Sequence, residues 1–406
     1  MVFANQYFLP DEAATSQMLT DLVFTAVRAG HACRVVASDR SYRDGSVRYP
    51  RRDSLEGIEI RRVPTTAFSR ASAPGRLANW FSFLGGASVT LLRGERPDVI
   101  VGMSTPALLG TLAVAVGRLR GARSAYWAMD VYPDLAFELG ALRRGGIAGR
   151  VFAFLSRWTL RSADVVIALG ETMETRLKEA GARNVVAVHN WADGEAIRPM
   201  PSSESHFRRA YGWDGKFVVL YSGNLGLAHE FDTLVGAAAI LRDETDLLIA
   251  VVGDGPRKAE LERAVRDRNL QIVRFHPAVS RSTLGHLLAA GDSHIVTLRP
   301  RMPGLLVPSK IYGILAAGRP ALYVGPKEGE VFNIVTRADC GVCIENGDSR
   351  GLADAIRRLR DDGVVAREMG RRARELFDRE FTREGQTKKL LATLTNLAAG
   401  SAAAGG

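Results

Sequence analysis

The residue in this chain that first invites chemistry is a lysine in apolar company. Lys310 sits in Val307-Pro308-Ser309-Lys310, a turn that opens the apolar helix pattern Ile311-Tyr312-Gly313-Ile314-Leu315-Ala316-Ala317. Gly318-Arg319-Pro320 closes that pattern, because glycine just past a helix end and proline soon after form a stop signal. Free amide groups at such a helix start, with Ser309 and an ammonium beside them, suit a phosphate-bearing ligand; a solvated lysine is the other reading of the same residues. Two glycine turns follow apolar runs in the same half, Tyr221-Ser222-Gly223-Asn224-Leu225-Gly226 and Val252-Gly253-Asp254-Gly255-Pro256. Glycines there let backbone amides approach a ligand closely, or simply make tight turns. In the first half, the run Ser124-Ala125-Tyr126-Trp127-Ala128-Met129 ends in Asp130-Val131-Tyr132-Pro133-Asp134. A strand ending in aspartate before a Pro-Asp turn sets a carboxylate at the edge where doubly wound sheets bind ligands. Asp130 would serve equally well as a cap for the following helix.

The elements that must position these groups alternate. Residues 2–8 read as a buried strand, Met18, Leu22, Phe24 and Val27 keep helical spacing, Gly30-His31 ends that helix, and residues 33–37 form the next strand. Strand–helix–strand units predict a parallel sheet. Residues 41–52 are polar and read as a loop; residues 58–63 alternate as an exposed strand would. Further strands are predicted at residues 97–101, 124–129, 164–169, 185–188, 216–221, 247–252, 272–276, 294–298 and 321–324, with helices between them. The stretch His189-Asn190-Trp191, running into Pro199 and Pro201, reads as a linker. The predicted organisation is α/β, with two Rossmann-like doubly wound domains facing across a cleft. They cover residues 1–192 (joined by a final helix, 385–400) and 193–384, with a disordered tail at 401–406. No Gly-x-Gly-x-x-Gly is present, which argues against a dinucleotide dehydrogenase.

Composition narrows the partners. At 406 residues the chain is too long for one ordinary core. With 46% hydrophobic and 24% charged residues it is globular. The formal net charge is +10 and the excess is concentrated early: residues 1–160 hold twenty arginines and no lysine against thirteen carboxylates. Such a surface attracts nucleic acid or anionic membrane; no nucleic-acid motif accompanies it, which favours a membrane surface and no nucleic acid, although an arginine-biased composition alone would look similar. The tract from Arg76 through Trp80, Phe81 and Phe83 to Arg93, with Arg70 upstream, is a core helix or one that dips into a bilayer surface. Residues 143–161 join five arginines to Ile147, Val151, Phe154 and Trp158, as a basic amphipathic helix would. Residues 99–117 are uncharged but interrupted by Pro106 and glycines, so a strand, turn and core helix are expected there and not a membrane span. Cys33, Cys340 and Cys343 make no disulfide framework, and Cys340-Gly341-Val342-Cys343 lies in a strand-like run. With no signal peptide visible, the expected location is cytoplasmic, peripheral at the inner face of the plasma membrane.

Four stretches in order carry a resemblance: Asn5-Gln6-Tyr7-Phe8 with Pro10-Asp11, residues 221–226, residues 252–256, and VPSK-x-Y-x-x-LAAG-RP at 307–320. Together they resemble the retaining family 4 glycosyltransferases of the GT-B fold, bacterial surface-polysaccharide branch. The resemblance implies transfer of a sugar from a nucleotide-sugar, UDP-linked by preference, to a lipid-linked or other saccharide acceptor, with anomeric configuration retained. It implies donor contacts at Gly223, Asn224, Leu225, Gly253, Asp254, Ser309 and Lys310, acceptor-side contacts at Asn5, Pro10 and Asp11, and catalytic roles for Asp130 and Lys310. The family's two glutamates, eight residues apart, fall at Leu305 and Gly313 here, so a sugar or ribose contact must come from elsewhere; Glu328 or Glu330 is the candidate. Its usual Arg and Lys in the first glycine loop are replaced by Asn224 and His229. No Asp-x-Asp motif appears, so no metal and no cofactor is expected. A sugar-nucleotide 2-epimerase of the same fold and a non-catalytic GT-B partner protein are the alternatives.

Overall fold

The computed structural model describes residues 1–69 and 72–402, and its chain divides into two compact units. The first comprises residues 1–189, 304–306 and the segment from 384 onward; the second comprises residues 190–303 and 307–383.

Unit 1 is built on eight strands: β1 (Val2–Ala4), β2 (Cys33–Ser38), β3 (Arg52–Leu55), β4 (Ile58–Val63), β5 (Val99–Met103), β6 (Arg123–Trp127), β7 (Val165–Ala168) and β8 (Val185–Ala187). Their order is β3-β4-β2-β1-β5-β6-β7-β8. Every pairing is parallel except β3 with β4. A parallel sheet with helices on both faces buries both sides of its strands, which is why Val99–Met103 is one unbroken apolar run, buried throughout.

Three details depart from the sequence reading. β1 stops at Ala4, not at residue 8. Beyond it Asn5 N–H donates to Val36 O (3.1 Å) and Gln6 N–H to Thr105 O (2.9 Å), so a buried but irregular segment replaces the ladder. β3 was not foreseen; Glu56 (φ 46) and Gly57 (φ 86) form a two-residue hairpin turn with both central residues left-handed, and β3 is exposed along its length. β4 therefore lies between β3 and β2, not at an exposed position. The final helix, Arg383–Ala402, includes Ser401 and Ala402, which the sequence reading had placed in a disordered tail. Residues 403–406 and Arg70 lie outside the described residues.

Unit 2 is a six-stranded parallel sheet of β9 (Phe217–Ser222), β10 (Leu247–Val252), β11 (Val273–His276), β12 (Ser293–Thr297), β13 (Ala321–Val324) and β14 (Gly341–Ile344), ordered β11-β10-β9-β12-β13-β14. One face packs Val219, Tyr221, Ile249 and Val251 under the flanking helices; the other packs Val218, Leu220, Leu248 and Ala250. Cys340 precedes β14 and Cys343 lies within it, both free thiols whose pKa burial raises. In each sheet the strand order reverses once, between β1 and β5 and between β9 and β12. Open α/β sheets bind ligands at the carboxyl ends of the strands flanking such a reversal. The Gly223 turn follows β9, the Asn5 segment follows β1, and Ser104 follows β5.

Candidate active site

In unit 2 the two glycine turns lock together. Gly223 N–H donates to Val252 O (3.0 Å), Gly253 N–H to His276 O (3.2 Å) and Leu225 N–H to Asp254 O (2.8 Å). A Cβ on Gly253 would lie 2.0 Å from Gly223 O, and the Gly253 φ is +151°, so only glycine allows this backbone contact. Asn224 and Asp254 are exposed at the rim, with Asp254 Oδ1 accepting from Gly255 N–H (2.8 Å). Leu225 is wholly buried and its N–H and C=O are both taken, the latter by Arg257 N–H (3.1 Å). Its part is to seat the turn.

Lys310 opens the helix Lys310–Ala316, and its side chain reaches back to β9. Nζ lies 3.4 Å from the centroid of the Tyr221 ring, shielded from solvent and with no hydrogen-bond acceptor among the described residues. Desolvation holds its pKa well below the ordinary lysine value. The ring face attracts the ammonium but accepts none of its three protons in a regular hydrogen bond. An anion at this point would satisfy the group and favour its charged form. Tyr221 is held in place by its hydroxyl, which donates to Asn224 O (2.9 Å). Ser309, before the lysine, is exposed.

His229, where the resembled family has a lysine, is not a second cation. Its Nδ1 donates to Thr297 O (2.7 Å). Burial, and then the charges of Lys310 and Arg257, push its pKa down to about 3. Arg257 is the residue that sequence reasoning missed. It is buried, its Nη1 donates to His229 O (2.6 Å), and its Nε pairs with Glu260 (3.0 Å), so it braces the loop bearing Asn224 and His229. Its position directly after Gly255-Pro256 was the available signal. Arg299 donates to Leu227 O (3.2 Å) on the same loop. Glu330 is buried at the start of the helix Glu330–Ala338; burial, and then the Glu330 charge, raise the pKa of the Tyr312 hydroxyl. Glu328 stays on the loop before it. Leu305 is buried in unit 1, its carbonyl accepting from Val131 N–H (2.8 Å), and Gly313 faces Leu288.

In unit 1, Asn5, Ser104 and Asp130 follow the neighbouring strands β1, β5 and β6. Ser104 Oγ accepts from the N–H groups of Met129 (3.1 Å) and Asp130 (3.2 Å). The Asp130 carboxyl, raised to about 6 by desolvation, adds its charge to Tyr126 and Tyr132. Asn5 donates through Nδ2 to Tyr7 O (2.7 Å) and Thr15 Oγ1 (3.2 Å), leaving Oδ1 buried without a partner. Pro10 is exposed, whereas Asp11 is buried and its carboxylate accepts from Ser41 Oγ (3.1 Å), Tyr42 N–H (2.8 Å) and Tyr49 Oη (3.2 Å). Asp11 thus ties down the loop at residues 41–49. That loop lines a cavity of about 440 Å³ with Gln6, Arg40, Arg76 and Trp80.

Known families match this arrangement. Residues 15–191 match the "Glycosyl transferase 4-like domain" profile and residues 216–362 the "Glycosyl transferases group 1" profile. The chain belongs to the family 4 glycosyltransferases. This glycosyltransferase is similar to the "Putative colanic acid biosynthesis glycosyl transferase WcaI" of Escherichia coli (strain K12), 27% identical over 90% of this chain and 94% of that protein. It is similar also to the "Probable glycosyltransferase WbjE" of Pseudomonas aeruginosa, 28% identical over 73% and 74%. Among solved structures, HepE from Anabaena, determined in complex with UDP, superposes with a TM-score of 0.73 at 18% identity, covering 97% of this chain and 99% of that one. These likenesses establish the GT-B fold of two Rossmann-like parallel-sheet domains.

Proposed function

We propose that this glycosyltransferase moves a sugar from a UDP-sugar to a lipid-linked saccharide in bacterial surface-polysaccharide biosynthesis, with retention of anomeric configuration, at the cytoplasmic face of the membrane. The observation that carries the donor reading is Lys310, a desolvated ammonium on the Tyr221 ring that lacks an anion partner and stands beside two interlocked glycine turns. A diphosphate there satisfies the ammonium, and charge-assisted contacts of this kind are the strong ones. Lys310 holds the charge that develops on the leaving diphosphate, and Asn224 adds a neutral donor. Glu330 takes the ribose or sugar hydroxyls that the family's absent glutamates would take. Asp130 orients the acceptor hydroxyl, whose proton leaves with the departing diphosphate in a front-face attack. WcaI and WbjE, by their names a putative colanic acid enzyme and a probable glycosyltransferase, support the pathway class, and the UDP and UDP-glucose complexes of HepE support the nucleotide.

Calorimetric titration with UDP, GDP and ADP tests the donor: UDP binds at least tenfold tighter than the other two. Turnover of UDP-sugars with undecaprenyl-diphosphate saccharides, and the anomeric coupling of the product by NMR, tests the rest. Release of an epimerised sugar nucleotide without any acceptor would overturn the transferase reading.

A further inference from the structure

Three helices of unit 1 lie side by side, Ala73–Leu92, Leu109–Arg120 and Ile147–Ser162, the middle one packing on both others. Their inner sides are core, with Phe83, Ala87 and Leu91 of the first and Leu109 and Ala113 of the second fully or nearly fully buried. Their outer sides are unusual in two ways. Eight of the fifteen exposed large apolar side chains among the described residues are on these helices, among them Phe81 (60% exposed), Leu119 (77%), Ile147 (83%) and Phe154 (62%). The three helices also contain no aspartate or glutamate, while Arg76, Arg118, Arg120, Arg150, Arg157 and Arg161 are on them.

Ile147, Val151, Phe154, Arg157 and Arg161 follow the three-to-four spacing of one helix face. The exposed stripe is therefore apolar for its first two turns and basic thereafter. Where it turns basic, Arg118, Arg157, Arg161 and Arg183 line a cavity of about 540 Å³ with Phe154 and Trp158. None of these four arginines has a carboxylate partner among the described residues, and Arg118 stacks on Trp158 at 5.5 Å. No described helix is long and apolar enough to cross a membrane.

We propose that this face docks the enzyme on an anionic lipid bilayer. Phe81, Leu119, Ile147, Val151 and Phe154 enter the interfacial layer, and the cavity of Arg118, Arg157, Arg161 and Arg183 takes a lipid phosphate headgroup. Apolar side chains ringed by arginine with no intervening carboxylate complement a surface that is apolar below and negative above. The inference deepens the reading of a membrane-resident acceptor. Its test uses neither donor nor acceptor, so the two readings fail separately.

The full chain is floated with vesicles of phosphatidylcholine alone and of phosphatidylcholine with phosphatidylglycerol, at low and at raised salt. Binding is expected to the mixed vesicles only and to weaken with salt. Arg157→Gln with Arg161→Gln lowers partitioning roughly fivefold per arginine, and Ile147→Ser with Phe154→Ser lowers it roughly tenfold or more. Arg266→Gln with Arg268→Gln, on unit 2, leaves it unchanged, and a cooperative thermal unfolding transition like that of the wild type in every variant shows that the chain is folded. Equal binding to both vesicle types, no binding to either, or binding that ignores both sets of variants on this face overturns the proposal. So does concentration-dependent self-association that these variants abolish without any vesicle binding, which would make the face a protein interface.

Discussion

Replacing Lys310 with methionine separates what this residue costs the folded chain from what it contributes to the ligand. Methionine keeps the length and the contact with Tyr221 while removing the ammonium. In the free protein the change forfeits a cation–π attraction of about 1–2 kcal/mol, but it also releases an ammonium that is out of water with no acceptor, a desolvation cost of several kcal/mol. The free variant is therefore expected to melt no lower than the wild type. Its pH response changes in a defined sense. Lys310 is depressed in the folded chain, so the unfolded chain holds the proton more tightly, and wild-type stability rises with pH up to about 10.4, the ordinary lysine value; the methionine variant loses that rise. UDP binding moves the other way. Losing a charged hydrogen bond worth about 2 kcal/mol weakens affinity roughly thirtyfold. At UDP near 100 times the wild-type Kd, stabilisation then falls from about 2.7 to about 0.9 kcal/mol. Differential scanning fluorimetry with and without UDP reads both effects on one plate. An unchanged UDP affinity would refute the diphosphate role, and a large fall in the melting point of the free variant would refute the claim that this ammonium is an uncompensated charge.

Other outcomes follow from the same geometry. Gly253→Ala forces a Cβ against Gly223 O and is expected to cost roughly 2–4 kcal/mol of unit 2 stability and to abolish UDP binding, read by denaturant unfolding and calorimetry. Asp130→Asn should remove a titration near 6 from the pH profile of kcat/KM. Because the folded carboxyl is raised to about 6, the folded chain holds more protons than the unfolded one between about 4 and 6, so wild-type stability falls as pH rises through that window and the variant's does not. Asp11→Ala leaves Ser41, Tyr42 and Tyr49 without their acceptor; a loss of about 2–4 kcal/mol, faster amide exchange at residues 41–49 and a raised acceptor KM with unchanged UDP affinity are expected. Transfer should survive a chelator such as EDTA, and loss of turnover on its addition would contradict the metal-independent reading.

What could be read from the residues was whatever burial writes into them. Val99–Met103 and Leu247–Val252 are buried on both faces and spell themselves out as apolar runs, and Gly318, with φ +63, ends its helix where the glycine predicted. β3 has no such mark: Arg52–Leu55 is exposed on every residue, and only its hairpin partner makes it a strand. β1 was overextended because Tyr7 and Phe8 are buried without belonging to a ladder. At the site, Lys310 and the glycine turns were visible as residue types in a familiar order. That the lysine rests on Tyr221, that His229 is held neutral and that Arg257 braces the turn depend on residues brought together from separate strands. The resemblance sets Asp11 on the acceptor side; that its carboxylate also ties down a loop thirty and more residues downstream is a pairing that no local pattern encodes.

The helix Arg383–Ala402 has a consequence for how the protein is made. From Glu384 onward it belongs to unit 1: Thr387 Oγ1 meets Thr25 Oγ1 (3.1 Å) and Gln386 Oε1 accepts from His189 N–H (3.0 Å). On the ribosome, the first 189 residues emerge long before the helix that completes them. Unit 1 must wait, with the side of its first helix near Thr25 uncovered, while all of unit 2 is synthesised. Unit 2 is in this sense an insertion within unit 1, closed at both ends by it. A stop codon soon after residue 383 would spare unit 2 and strike unit 1, so C-terminal truncation should be felt first as aggregation of the unit encoded at the opposite end of the gene.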